Sequence, residues 1–142
     1  MLTRKTLQWH LAILFCKRNR KIALSLHQWI REGGHHDPLP TVEIVAKQLG
    51  VTHEELVRFF RLAVGKPFVS WRKDLRISEA KDLLVQYPHL PVYHIGEMVG
   101  IGDKSDFRKQ FKELTGMTPS QYRKHHLTGG PDEGDPEPSS PD

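Results

Sequence analysis

The 142-residue sequence predicts an all-α protein in which two helix-turn-helix subdomains are joined by a long linker helix. Apolar residues recur every three or four positions along most of the chain, as on the buried face of a helix. No stretch alternates apolar and polar residues as a half-buried strand would. One apolar pattern containing a small residue and a glycine occurs twice, and a long helical stretch separates the two copies.

The charge of the chain is unevenly distributed. All 21 Lys and Arg residues precede residue 129, whereas five of the 17 Asp and Glu residues follow residue 128, so residues 1–128 carry a formal charge of +9. Such an excess of cations is typical of proteins that bind a polyanion. On charge alone, a basic protein without such a partner remains the alternative.

Cysteine content and hydropathy argue against a disulfide-stabilised protein and against a membrane-spanning one. The single cysteine, Cys16, cannot form an intrachain disulfide and suits a reducing compartment. The longest apolar patch, residues 11–16, is too short to span a bilayer. We therefore expect a cytoplasmic protein with no membrane insertion by this segment. The mixed character of the first residues suits a piece of a longer protein.

Both ends of the chain lie outside the predicted core domain, residues 21–128. Residues 1–20 form a predicted helical segment with Leu7, Leu11 and Leu14 on one face. We expect this segment to be a linker from an upstream sensor domain or a contact with a homodimer partner. Residues 129–142 contain acidic residues, Pro, Gly and Ser but no apolar side chain, so we expect a disordered acidic tail.

Within the core domain, helix signals divide the chain into successive elements. A first helix is expected at about residues 22–32, helix-turn-helix units at about 41–65 and 91–116, and a connector helix at about 68–87. A final short helix is expected through His125. The polar residues expected to cap helices are Thr41, Thr52, Asp103 and Thr118. The glycines expected to end them are Gly50, Gly65, Gly100 and Gly116.

The two copies of the repeated pattern read VEIVAKQLGVTHEELVRFF and VYHIGEMVGIGDKSDFRKQF. Ala46 and Gly96 are the small residues of the pattern, 50 positions apart, and they would let one helix cross closely over the next. Gly50 and Gly100 would supply the positive φ of the turn. This arrangement is what a helix-turn-helix needs, and its occurrence twice predicts two such units.

The length of the connector adds a geometric argument. A helix of about 18 residues is roughly 27 Å long. One turn of a DNA duplex is roughly 34 Å, so this connector could place two recognition helices in successive major grooves on one face of the duplex.

Three stretches of the sequence, LRISEAKDLL, IGEMVGIGDKSDFRKQFKELTG and MTPSQYRK, resemble the DNA-binding domain of AraC/XylS-type transcriptional regulators. The resemblance covers about residues 21–126, with Ile101 in place of the usual Phe and Gly96 in place of the usual Ala. The stretches HQWIREGG and FVSWRKDLRISEAKDLL are similar to the Bacteroidetes-type branch, in which a sensory or membrane portion often precedes the domain. The resemblance implies a homeodomain-like fold, promoter binding, and recruitment or blocking of RNA polymerase.

The second unit carries the clearest candidate DNA contacts. Its second helix is expected to bury Phe107, Phe111 and Leu114. The resemblance implies that base edges are read by the side chains on its other face, which are Lys104, Ser105, Arg108 and Lys109. Lys112 and Arg123 are expected to contact backbone phosphates. A solvated charged face with no ligand is the alternative.

The matching helix of the first unit is chemically different. Its expected exposed residues are His53, Glu54, Val57, Arg58 and Arg61. The carboxylate of Glu54 could accept a hydrogen bond from cytosine N4, but it repels phosphates. Either Glu54 contributes selectivity at a cost in affinity, or the first unit docks loosely and the second dominates; we favour the second interpretation.

Other functions have weaker support. The rival hypothesis is a helical protein-interaction module whose helix-turn-helix units no longer read DNA, and the Glu54-Glu55 pair favours it. No nucleophile triad, phosphate-binding loop or carboxylate pair stands out, so we expect no enzyme activity and no cofactor. We expect no metal site at His35-His36, His125-His126 or Cys16, because their spacing does not match ligand pairs. Trp29, Trp71 and Tyr122 are expected to be core residues.

Overall fold

The computed structural model describes residues 17–37 and 41–128, and this part of the chain contains seven α-helices and no strand. The predicted all-α class is therefore confirmed. The helices are α1 (Lys17–Arg31), α2 (Val42–Leu49), α3 (His53–Phe59), α4 (Phe68–Gln86), α5 (Val92–Met98), α6 (Lys104–Thr115) and α7 (Pro119–Thr128). A 3₁₀ turn (Gly34–His36) follows α1, and a π-helical turn (Phe60–Val64) continues α3.

The predicted helix caps are present. The side chains of Thr41, Thr52 and Asp103 accept hydrogen bonds from the backbone N–H three residues later, at 3.3, 3.1 and 2.8 Å respectively. Thr118 forms a reciprocal capping box with Gln121, since each side chain accepts from the other residue's backbone N–H, at 3.2 and 2.9 Å. These bonds satisfy N–H groups that have no partner inside the helix, and they fix where each helix begins.

The first compact unit ends at Arg72. Its core consists of Ile22, Ala23, Leu26, Trp29, Val45, Ala46, Leu56, Phe59, Phe60 and Phe68. Aromatic rings dominate it: Phe60 lies 5.4 Å from Phe68 and 5.1 Å from Trp71, measured between ring centroids. The indole N–H of buried Trp29 donates to Gln48 Oε1 at 2.9 Å. Trp29 is thus a core residue, as predicted, and Trp71 is partly buried against this core.

The second compact unit begins at Lys73. Its core consists of Ile77, Ala80, Leu84, Ile95, Val99, Ile101, Phe107 and Phe111. Tyr122 packs on this core from α7, with its ring centroid 5.4 Å from that of Phe111. Tyr122, predicted to be a core residue, is therefore partly buried at the edge of this core.

The connector helix contributes to both cores. Phe68, in its first turn, is buried in the first core, whereas Ile77, Ala80 and Leu84 are buried in the second. The boundary between the units, at Arg72 and Lys73, therefore lies inside α4.

None of the helices among the described residues combines the length and apolar run that a bilayer crossing requires.

Several sequence expectations differ from the structure. Residues 17–20, which were expected in the N-terminal segment, belong to α1, and α7 continues to Thr128. Helix α3 ends in the π turn, in which the Gly65 N–H donates to Phe60 O at 2.7 Å. His35, for which no pattern in the sequence predicts burial, is buried beside Trp29 in the 3₁₀ turn. The expectations for residues 1–16 and 129–142 fall outside the described residues.

Candidate nucleic-acid interface

Helix α6 has one buried and one exposed face. Phe107 and Phe111 are buried at 1 and 0 % exposure, as expected for positions one turn apart. Leu114 was expected beside them, but this expectation is wrong because the side chain is 44 % exposed. It lies in the last turn before Gly116, past the core residues with which Phe107 and Phe111 pack. The buried face of α6 therefore ends at Phe111.

Of the side chains predicted to face a nucleic acid, Ser105, Lys109 and Lys112 point away from the buried face of α6. Lys104, seven positions before Phe111, lies at the exposed start of the stripe that buries Phe107 and Phe111. Lys104, Ser105, Lys109 and Lys112 are exposed, and Arg108 is partly buried. Three exposed lysines therefore lie within two to three turns of α6. This is the concentration of cations that contacts with phosphates and guanine edges require.

Gly96 sets how closely α5 approaches α6. A Cβ atom built at Gly96 would lie 2.8 Å from Phe107 Cγ and 2.9 Å from the Ile101 carbonyl oxygen. Contacts this short leave no room for a side chain, so the predicted close crossing is confirmed at this position.

The turns of the two units share the same backbone hydrogen bonds. In the first unit, the Val51 N–H donates to Ala46 O at 3.0 Å, and the Gly50 N–H to Lys47 O at 3.1 Å. In the second, the Ile101 N–H donates to Gly96 O at 2.8 Å, and the Gly100 N–H to Glu97 O at 3.1 Å. Gly50 and Gly100 both adopt positive φ, at 71° and 92°. The repeated sequence pattern therefore corresponds to a repeated structure.

Two contacts within the second unit fix side chains of α6. Lys73 Nζ on α4 donates to Glu113 Oε2 at 3.0 Å, and this hydrogen bond lowers the pKa of Glu113 below its usual value. Lys104 Nζ lies 4.5 Å from the centroid of the Tyr93 ring, on α5. Sequence reasoning identified neither contact, since nothing in the local pattern pairs Lys73 with Glu113 or Tyr93 with Lys104.

Arg123 has a different environment from the one expected of a phosphate contact. Its Nε donates to Leu84 O at 2.9 Å, and its Nη2 donates to Tyr87 O at 3.1 Å. The guanidinium thus binds carbonyl groups at and beyond the carboxyl end of α4, where helix carbonyls lack partners. Partial burial lowers the pKa of Arg123. The structure therefore gives this side chain a role within the fold.

The predicted contact residues of the first unit are all exposed on α3 and its π turn: His53, Glu54, Val57, Arg58 and Arg61. Glu55 is partly buried, and its Oε1 accepts from the Thr52 hydroxyl at 3.1 Å, so Glu54 is the carboxylate left facing outwards. His53 Nε2 lies 3.4 Å from Glu43 Oε1. The pKa of Glu43 is lowered, chiefly because its carboxylate accepts hydrogen bonds from its own backbone N–H and from Thr41. The nearby His53 lowers it further.

A family described as a helix-turn-helix domain matches residues 45–125, which include most of the first unit and all of the second. The arabinose operon regulatory protein of Escherichia coli is 38 % identical over 79 residues, which are 56 % of this chain and 27 % of that protein. The chain thus spans about a quarter of the length of this curated relative.

Solved structures share the fold. The C-terminal domain of AraT, a response regulator from Geobacillus stearothermophilus, aligns with a TM-score of 0.67 and 27 % identity, covering 80 % of this chain and 93 % of that domain. The DNA-binding domain of the global transcriptional factor AdpA, solved in complex with a target DNA, aligns with a TM-score of 0.66 over 76 % of this chain and 96 % of that domain. At 20 % identity, the likeness to AdpA concerns the fold alone.

Proposed function

This chain belongs to the AraC-type family of helix-turn-helix transcriptional regulators, and on that premise we propose that it binds double-stranded DNA sequence-specifically and regulates transcription. The observation that carries the proposal is α6, which packs against the core through Phe107 and Phe111 and leaves Lys104, Lys109 and Lys112 exposed. A helix held in this way can enter a major groove with its packing intact.

The proposed contacts follow from position on the helices. In the second unit, Lys104, Ser105, Arg108 and Lys109 would face base edges, and Lys112 the phosphates. In the first unit, the contact face would consist of His53, Glu54, Val57, Arg58 and Arg61. A phosphate contact by Arg123 would have to use Nη1 or the second hydrogen of Nη2, because the Nε hydrogen and one Nη2 hydrogen are donated to carbonyl groups.

The proposal extends to partners outside the chain. The family consists of transcription-regulator DNA-binding domains, which are not enzymes. We propose a cytoplasmic protein that recruits or blocks RNA polymerase from a promoter-proximal site. The chain spans about a quarter of the length of its arabinose-regulator relative. We propose an upstream sensor domain as the source of the regulatory signal, or a homodimer partner that contacts residues 1–20.

Fluorescence anisotropy with labelled duplexes tests the proposal directly. A preferred site is first selected from a random duplex library, and affinity is then measured for that site and for an unrelated duplex over a salt series. Each phosphate neutralised contributes about −0.9 to the slope of log affinity against log salt, so we expect a steep negative slope. We also expect a preference of about 10³-fold or more for the selected site.

Two outcomes would contradict the proposal. Absence of binding to any duplex at about 50 mM salt, where electrostatic binding is strongest, would exclude DNA as the ligand. Equal affinity for selected and unrelated duplexes would exclude sequence-specific reading. The first outcome would favour a helical protein-interaction module instead.

A further inference from the structure

We infer that Tyr93 is a specificity-determining positioning residue whose ring holds the Lys104 ammonium where this lysine reads a guanine edge. The inference rests on the proposed function, since it concerns how one contact residue is oriented for DNA. Tyr93 is the second residue of α5, and Lys104 is the first residue of α6. The side-chain pair therefore joins the two helices of the second helix-turn-helix unit.

The geometry of the pair is that of a cation–π contact. Lys104 Nζ lies 4.5 Å from the ring centroid, whereas Arg72 and Lys81 lie 5.4 and 5.9 Å from the rings of Phe68 and Tyr122. The negative face of an aromatic ring attracts a cation within about 6 Å of its centroid. The contact thus gives the ammonium a defined location above α5.

The charges at the start of α6 do not by themselves hold the Lys104 side chain in this location. The amino end of a helix carries a partial positive charge, which disfavours a lysine in the first turn. The carboxylate of Asp103 offsets part of that charge. Its Oδ1 is occupied as the helix cap, because it accepts a hydrogen bond from the Asp106 backbone N–H at 2.8 Å. A lysine at this position would otherwise extend into solvent and sample many rotamers. The Tyr93 ring supplies an attraction that limits this freedom.

The ring leaves the ammonium accessible. Lys104 is exposed, and Tyr93 is 36 % exposed, so the pair lies at the surface of the unit. An ammonium has three N–H donors. When one side of it faces the ring, donors on the other sides remain for guanine O6 and N7, which a lysine can bind together.

The first unit contains a pair at the same positions. Glu43 is the second residue of α2, and His53 is the first residue of α3. Their side chains approach to 3.4 Å, between Glu43 Oε1 and His53 Nε2. In both units, the second residue of the scaffold helix therefore holds the first residue of the recognition helix. The two units do so with different chemistry, a carboxylate for a histidine and an aromatic ring for a lysine.

The test uses the full chain and the duplex selected with it. Each guanine of that duplex is replaced in turn by 7-deazaguanine, which lacks the N7 acceptor, and binding is measured by anisotropy. For the wild type, we expect one guanine whose replacement weakens binding, and Lys104→Met should abolish that effect. In Tyr93→Leu, the loss of affinity caused by replacing that guanine should be about two- to fivefold smaller than in the wild type. This range corresponds to an exposed cation–π contact. Tyr93→Phe keeps the ring and should behave as the wild type.

Matched controls separate positioning from folding and from direct contact. Lys112→Met removes an exposed cation on the same helix, and its effect should add to that of Tyr93→Leu rather than couple with it. Pentafluorophenylalanine at position 93 keeps the ring shape but reverses the charge of its face, so it should mimic Tyr93→Leu without loss of packing. Thermal unfolding followed by circular dichroism checks that each variant is folded.

The outcomes that overturn the inference differ from those that overturn the proposed function. If the wild type binds no duplex, both fall together. If the wild type binds specifically but Lys104→Met changes no guanine effect, or Tyr93→Leu leaves the Lys104-dependent effect unchanged, this inference alone is wrong. Equal weakening of all duplexes by Tyr93→Phe and Tyr93→Leu would make the phenol oxygen a phosphate contact and would also overturn it.

Discussion

At the scale of single residues, Gly96 combines a helical position with a very close neighbour. We predict that Gly96→Ala lowers the free energy of unfolding by about 1–2 kcal/mol. A Cβ atom would overlap the buried Phe107 ring and the Ile101 carbonyl, which costs about 1–3 kcal/mol. The helix preference of alanine over glycine returns about 1 kcal/mol at most. Urea unfolding measures the difference.

Gly102 provides the matched control for this substitution. A Cβ atom at Gly102 would have no neighbour within 4 Å, and its φ lies outside the left-handed region. Gly102→Ala should therefore leave stability unchanged or raise it slightly. A Gly96→Ala variant as stable as Gly102→Ala would show that Phe107 moves aside without cost.

Lys109 and Lys112 are exposed on the same face of α6, but we propose different partners for them. Lys109→Ala should weaken binding to the preferred site by about 1–3 kcal/mol and relax preference at one base pair. Lys112→Ala should weaken binding to all duplexes alike and reduce the salt slope by about 1. Anisotropy on selected and unrelated duplexes distinguishes the two, and identical behaviour of both variants would refute the assignment.

At the scale of elements, Arg123 ties α7 to the carboxyl end of α4. Arg123→Met removes two charge-assisted hydrogen bonds, to Leu84 O and Tyr87 O. Hydrogen bonds to charged groups contribute about 1.5–3 kcal/mol each. Because Arg123 is only partly buried, we predict a total loss of about 1–3 kcal/mol in urea unfolding.

Lys124 is the control for charge, since it is exposed and adjacent on α7. Lys124→Met removes the same charge and should change stability little. Equal effects of the two substitutions would mean that the carbonyl contacts of Arg123 do not stabilise the fold. Loss of DNA affinity in Arg123→Met without loss of stability would show that Arg123 contacts a phosphate, as expected from the sequence.

The ion pair between α4 and α6 should depend on pH. Lys73 lowers the pKa of Glu113 below 4.5, so the folded state favours the carboxylate more than the unfolded state does. The stabilisation is therefore fully present above pH 4.5 and is lost as the pH falls through the folded-state pKa. A double-mutant cycle of Lys73→Met and Glu113→Gln should show coupling at neutral pH that decreases as the pH falls through the folded-state pKa of Glu113. Coupling that persists in acid would exclude the Glu113 carboxylate as its source.

At the scale of the whole molecule, the two recognition helices differ in charge. Counted from their caps, Lys104, Ser105, Arg108, Lys109 and Lys112 of α6 correspond to His53, Glu54, Val57, Arg58 and Arg61 of α3 and its π turn. The second unit thus presents four cations where the first presents two cations and a carboxylate. We therefore expect the second unit to contribute most of the affinity for DNA.

Substitution of Glu54 tests this difference. Glu54→Gln removes a negative charge that faces the phosphates in the proposed complex, so binding to an unrelated duplex should tighten by about 0.5–1 kcal/mol. Glu32→Gln removes an equal charge at an exposed position outside the recognition helices and should have a smaller effect. Loss of preference at one base pair in Glu54→Gln would show instead that Glu54 reads a cytosine and that the first unit contributes to specificity.

The sequence by itself determined the helices, their caps and the duplicated turn. Interactions between residues three to five positions apart specify these features, and the types of residue involved, such as Thr52, Asp103, Gly50 and Gly100, are the ones that those local geometries require. Phe107 and Phe111 were likewise placed in the core by helical spacing alone. The exposed cations of α6 follow from the same periodicity.

The tertiary structure alone decided which distant groups meet. Lys73 and Glu113 lie 40 positions apart, and Arg123 lies 39 positions from Leu84. It also decided that Leu114 is exposed, because helical periodicity gives the direction of a side chain but not where the neighbouring core ends. Tyr93 and Lys104 belong to the same class, since they meet only after the Gly100 turn brings α5 against α6. Packing between helices, and not the pattern within each of them, fixes these contacts.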